Sequence, residues 1–205
     1  MKTTVGLIVI ATMVLGTMVG CQATPTEQVY RDVSVGAMTV SIPDDWKKPE
    51  EYAELMEEIF TGFTEEERQA IQADAYEDKS EDAAIVIMTI DMVESYELMG
   101  LSWQGWDIAL EELGMTAGEF AESAQWGLIA EFTELTREMH RQLTIGGNET
   151  WESTYTAKSE GEPVQVCVSI VFAPDDAGIL LVVVTQAKWA EFEGTWNKIR
   201  DSVRT

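Results

Sequence analysis

Apolar and polar positions alternate over residues 30–35 and 38–42, and the two runs meet at Gly36-Ala37. Side chains of a strand point to opposite faces in turn, so this pattern predicts a hairpin. Pro43-Asp44-Asp45-Trp46 closes its second strand with a turn. Beyond Pro49, Tyr52, Leu55, Met56, Ile59, Phe60 and Phe63 recur at helical spacing and make one apolar face. Thr64 and Glu67 match a capping box and predict a second helix running through Tyr76. Residues 83–92 are almost continuously apolar, the pattern of a buried strand.

The middle of the chain reads as helical. Residues 103–113 predict a helix that Gly114 stops. Thr116 and Glu119 form another capping box. Phe120, Ala124, Leu128, Phe132, Leu135 and Met139 then step by threes and fours, which predicts a long amphipathic helix over 117–140 packed across the sheet. Residues 142–145 form a short strand candidate before Gly146-Gly147. Residues 150–156 alternate, with Trp151, Ser153 and Tyr155 on one side. Residues 164–172 alternate again, and 179–185 are continuously apolar. Glu160-Gly161 and Pro174-Asp175-Asp176-Ala177-Gly178 supply the turns, so these strands predict an antiparallel meander. Trp189, Phe192, Trp196, Ile199 and Val203 mark one face of a closing helix. The expected fold class is α+β: one domain over residues 29–205, an antiparallel β-sheet flanked by helices.

The first residues follow another logic. Lys2 precedes an apolar stretch over 5–15, then small residues, then Met18-Val19-Gly20-Cys21. This resembles the lipobox of bacterial lipoproteins, with Met18 where leucine is usual. The resemblance implies a signal peptide over 1–20, a diacylglyceryl group on the Cys21 thiol and cleavage in front of it. Residues 21–28, with Pro25 and small polar side chains, read as a tether. An uncleaved membrane helix over 3–26 and a secretory signal cut near Gly20 are the alternatives. All three put the domain outside the cytoplasm; the lipobox places it at the cell membrane, lipid-anchored on the extracytoplasmic face.

The chain of 205 residues is 45% hydrophobic and 24% charged, a globular balance. Its 37 acidic against 13 basic residues give a net charge of −24, which excludes nucleic acid as a partner. The excess is local: residues 49–135 hold 23 Asp and Glu against Arg68 and Lys79. Such a face either keeps the molecule soluble or docks a basic protein partner.

Candidate chemistry is sparse. Nucleotide-binding, phosphate-loop, nucleophile-elbow and zinc-protease motifs are all missing. The cysteines are Cys21 and Cys167; with lipid on Cys21 no disulfide forms, and Cys167 sits in a strand-like run that would bury it. His140 is the sole histidine and ends a predicted helix, so a Cys–His pair has no support. Asp74, Glu77, Asp78, Glu81 and Asp82 crowd one expected loop. Calcium accepts such a set chemically, but no EF-hand pattern is present and no metal or cofactor is expected. Among seven tryptophans, Trp46, Trp189 and Trp196 fall at core positions, whereas Trp103 and Trp106 stand beside Ser102, Gln104 and Asp107. Either one helical turn packs both rings inward, or they sit at a rim as contact residues with Asp107 orienting a polar group.

The hairpin ending in Pro43-Asp44-Asp45-Trp46, the Asp-Asp-Ala-Gly turn in the meander and the final Ile199-Arg200-Asp201-Ser202-Val203 together resemble the PsbP and Mog family. That resemblance implies an α/β/α sandwich over 29–205 and no enzymatic activity. The functional expectation is a lipid-anchored, extracytoplasmic, non-enzymatic interaction module. The alternative is a small-ligand-binding lipoprotein with a tryptophan-lined cleft. A hydrolase would need two carboxylates converging in a cleft.

Overall fold

The computed structural model describes residues 28–61, 63–80 and 82–205. The expected signal peptide, Cys21, the tether up to residue 27, and Glu81 lie outside the described residues.

Strands β1 (Tyr30–Val35) and β2 (Met38–Pro43) form the expected hairpin, paired from Tyr30↔Pro43 to Val35↔Met38. Helix α1 (Tyr52–Ile59) follows, and a single 3-10 turn (Glu67–Ala70) leads into β3 (Ile71–Glu77). Strand β4 (Ala83–Asp91) precedes three helices: α2 (Met92–Leu98), α3 (Trp106–Leu113) and α4 (Ala117–Leu128). The meander is β5 (Thr133–Ile145), β6 (Asn148–Ser159), β7 (Glu162–Phe172) and β8 (Asp176–Thr185), closed by α5 (Trp189–Asp201). Six strands make one antiparallel sheet in the order β3-β4-β8-β7-β6-β5.

The sheet carries a core on each face, which is why its central strands lack polar alternation. On one face Val86, Met88, Val166, Val168, Leu181 and Val183 pack with Leu55 and Ile59 of α1 and Ala121 of α4. On the other, Ile85, Ile87, Cys167, Leu180, Val182 and Val184 pack with the β1–β2 hairpin and with Trp196 and Ile199 of α5. Residues one apart along a strand therefore serve opposite cores. Burying each of the valine, leucine, isoleucine and methionine side chains contributes about 1.5–3 kcal/mol relative to leaving it exposed.

Four expectations are corrected. The helix over 117–140 ends at Leu128, and residues 133–145 are strand β5. Steps of four are the cause: four residues are nearly one helical turn and also two full repeats of a strand, so Leu135 and Met139 fit either period. The capping box at Thr116 and Glu119 does form, with Glu119 N–H donating to Thr116 Oγ1 at 3.3 Å. The strand expected over 142–145 is thus the end of a much longer edge strand, bulged near Thr136 and Met139. The helix expected from Thr64 through Tyr76 is the 3-10 turn alone. Its cap bonds form, Glu67 N–H reaching Thr64 Oγ1 at 3.2 Å, but Ile71 turns extended and pairs with Ile90. A β-ladder there outweighs the local helix signal. Finally, the helix expected over 103–113 starts at Trp106.

Candidate functional site

The segment between β4 and α4 holds Trp103, Trp106 and Asp107. Asp91 caps α2, its side chain accepting from Glu94 N–H at 2.9 Å. Gly114, at φ 65°, supplies the left-handed conformation that ends α3. Trp103 lies in the loop before α3, so the two indoles do not share a helical face. They meet nonetheless, edge to face, with ring centroids 5.1 Å apart. Tyr96 stands against Trp103 at 4.9 Å, and Trp106 runs inward onto Phe172 at 4.7 Å. A row of rings thus leads from α2 to the core. Each indole N–H is spent on the β7–β8 turn: Trp103 donates to Pro174 O at 3.2 Å and Trp106 to Ala173 O at 2.6 Å.

Both indoles are half-buried, the rim position; Asp107 is exposed in the first turn of α3. With the N–H groups consumed, what the rings offer outward is apolar surface rather than hydrogen bonding. Sequence reasoning missed the side chains around them. Val93, Leu98, Met99, Leu101, Ile108 and Leu113 are exposed, Met99 by 62% and Leu113 by 56%. Among the described residues the other exposed large apolar side chains are Val29 and Trp126. The missed signal was a mixture: apolar residues without clean periodicity, interleaved with Glu94, Glu97, Asp107, Glu111 and Glu112.

Charge at this segment is one-sided. No lysine or arginine occurs from residue 80 to residue 136. Asp91 and Asp176 are register partners, and Asp176 is held above the ordinary carboxylate range by burial, then by the charges of Asp91 and Asp175.

The segment also has a definite place. The chain enters β1 where Arg31 lies over the Tyr76 ring, 5.3 Å from its centroid, and Tyr76 pairs with Ile85. The β1–β2 turn lies at the other end, against Thr89: a Cβ on Gly36 would fall 2.1 Å from Thr89 Oγ1. Asp91 and the Pro174 turn that holds the tryptophans lie at that end too. From Ile85 to Asp91 the sheet spans about 20 Å. Chain entry and the tryptophan segment therefore occupy opposite ends of the sheet.

The remaining candidates resolve into structural roles. Asp74 accepts from Tyr76 Oη at 2.7 Å and pairs with Lys48 at 3.0 Å. Burial raises its pKa, but those bonds outweigh burial and leave it below the ordinary carboxylate range. Glu77 pairs with Lys47 at 3.3 Å, and Asp78 accepts from the backbone N–H of Asp82 at 2.8 Å and of Ala83 at 3.1 Å. These carboxylates serve separate bonds, and no group of three metal-ligating side chains gathers among the described residues. Cys167 is fully buried, and burial pushes its thiol pKa far up. Trp46 and Trp196 are buried; Trp189 is half-buried.

His140, expected to end a helix, lies in β5, stacked on Trp151 at 5.0 Å. Gln125 donates from its amide to Trp151 O and Val168 O, so its oxygen accepts from Ser153 Oγ–H at 2.6 Å. Ser153 Oγ then accepts from His140 Nδ1–H at 2.7 Å. Ser153 is fully buried and the chain ends on backbone carbonyls. It ties α4 to the sheet rather than activating a nucleophile.

The architecture is an α+β sandwich, and its fold is that of PsbP. The solution structure of cyanobacterial PsbP (CyanoP) from Synechocystis sp. PCC 6803 matches with a TM-score of 0.51 at 9% identity, over 92% of this chain and 98% of that one. The Saccharomyces cerevisiae Ran-binding protein Mog1p matches at TM-score 0.44 and 11% identity, over 87% and 96%. LpqN of Mycobacterium tuberculosis, involved in cell envelope biogenesis, matches at 0.40 and 12%, over 87% and 91%. No protein-family model and no curated protein matches the chain.

Proposed function

We propose that this chain is a membrane-anchored, extracytoplasmic, non-enzymatic interaction module that binds a partner through the segment around Trp103 and Trp106. The observation that carries the reading is the concentration of exposed apolar side chains in residues 93–113, braced from within by the tryptophan row. Exposed apolar side chains concentrated in one segment, rather than scattered over the molecule, are the feature on which the reading rests. Trp103 and Trp106 set the platform, Asp107 flanks it, and the lipobox-like Met18-Val19-Gly20-Cys21 supplies the anchor.

The reading is tested by sizing the chain after mild detergent extraction of native membranes. Wild type is expected to run as a complex, and Leu101→Lys/Ile108→Lys as the free chain with unchanged Tm. A wild type that runs as the free chain overturns the reading.

A further inference from the structure

Resting on that docking reading, we infer that the occupant of the 93–113 surface is a basic amphipathic helix of a protein partner, received at the end of the sheet opposite the point where the chain enters β1. The apolar half of the argument is Val93, Leu98, Met99, Leu101, Ile108 and Leu113, all exposed. A helix with an apolar stripe is the element that covers such a surface, and long flexible side chains such as Met99 adapt to it. The charge half is Glu94, Glu97, Asp107, Glu111 and Glu112, none of which pairs with a cation among the described residues. Asp91, Asp175 and Asp176 add like charge beside the Trp103 anchor point. Lysines and arginines flanking an apolar stripe would answer both features, steering the encounter and then neutralising carboxylates.

The lipid surface is the competing occupant, and two observations disfavour it. The segment is acidic throughout, and an anionic bilayer repels it. It also lies at the opposite end of the sheet from the point where the chain enters β1.

The test uses the full chain in neutral detergent and a fluorescent peptide of roughly 18 residues, five helical turns, with a leucine stripe and lysines elsewhere. Saturable binding is expected, weakened about tenfold or more by Met99→Lys/Ile108→Lys and unchanged by Trp126→Lys, an exposed control outside the segment. A scrambled peptide of equal charge without the stripe is expected to bind about tenfold more weakly. Equal binding of the scrambled peptide, or equal loss in Trp126→Lys, overturns the inference. So does binding to phosphatidylcholine vesicles that Met99→Lys/Ile108→Lys loses, which would name lipid as the occupant. A chain that runs as a native complex dependent on Leu101 and Ile108 but ignores the striped peptide keeps its docking function and loses this partner class.

Discussion

Glu152 has no exposed surface and lies between two arginines. Arg141 reaches Oε1 at 2.7 Å from the edge strand, and Arg200 of α5 reaches Oε2 at 3.2 Å. Glu152→Ala would leave Arg200, itself 7% exposed, with only the more exposed Asp201 carboxylate at 2.7 Å as counter-charge. The expected cost is about 3–5 kcal/mol, read from urea unfolding, while Glu152→Met/Arg200→Met is expected to cost less than the single change. The sequence did not reveal this pair. Residues 150–156 alternate, so Glu152 reads as the solvent side of a strand; α5, more than thirty residues later, covers that side. His140 gives a second test at this scale. Burial, then the Arg137 charge, lower its pKa below 6.5, with Glu122 opposing. The unfolded chain therefore takes up the proton first. The contribution to stability is whole above pH 6.5, falls as pH drops below it, and levels off below the folded pKa. Stability against pH reports every group at once, so the readout is a difference: wild type is expected to lose more stability than His140→Gln between about pH 7 and pH 5.

Among elements, those held by turns and long apolar runs were legible: the first hairpin, β4, β7 and the closing helix appear where their patterns put them, and β8 does too except that it starts at Asp176, inside the expected turn. The α4–β5 junction was not, because apolar steps of four satisfy both periods. The deciding feature is long-range, the pairing of β5 with β6. Phe132 sits at that junction, 5% exposed in the core shared with α1 and α4. Phe132→Asp is expected to cost more than about 3 kcal/mol by thermal or urea unfolding, since the charge has no partner there. The two capping boxes separate local chemistry from what it supports. Thr116→Ala removes the cap of a twelve-residue helix and is expected to cost about 1 kcal/mol. Thr64→Ala, ahead of a 3-10 turn alone, is expected to cost clearly less in the same assay.

At the scale of the molecule, the acidic excess of residues 49–135 was visible in the sequence, whereas for Trp103 and Trp106 it left core and rim positions both open; the structure has both half-buried. Their companions were not legible, because exposure of Val93, Leu98 or Leu113 depends on which side of each short helix meets the sheet. The anchor rests on residues 18–21. Intact-mass analysis of the membrane-extracted chain is expected to show an acylated N-terminus at Cys21, lost in Cys21→Ala; an unacylated mass would refute it. The central claim is that the 93–113 end holds a protein partner. It is tested most directly by placing a photo-cross-linking residue at Ile108 in native membranes, with a second chain carrying it at Glu160, an exposed turn position at the other end of the sheet. The account predicts a discrete protein adduct from position 108 and none from position 160. Adducts only to lipid from position 108, or the same protein adduct from both positions, would contradict it.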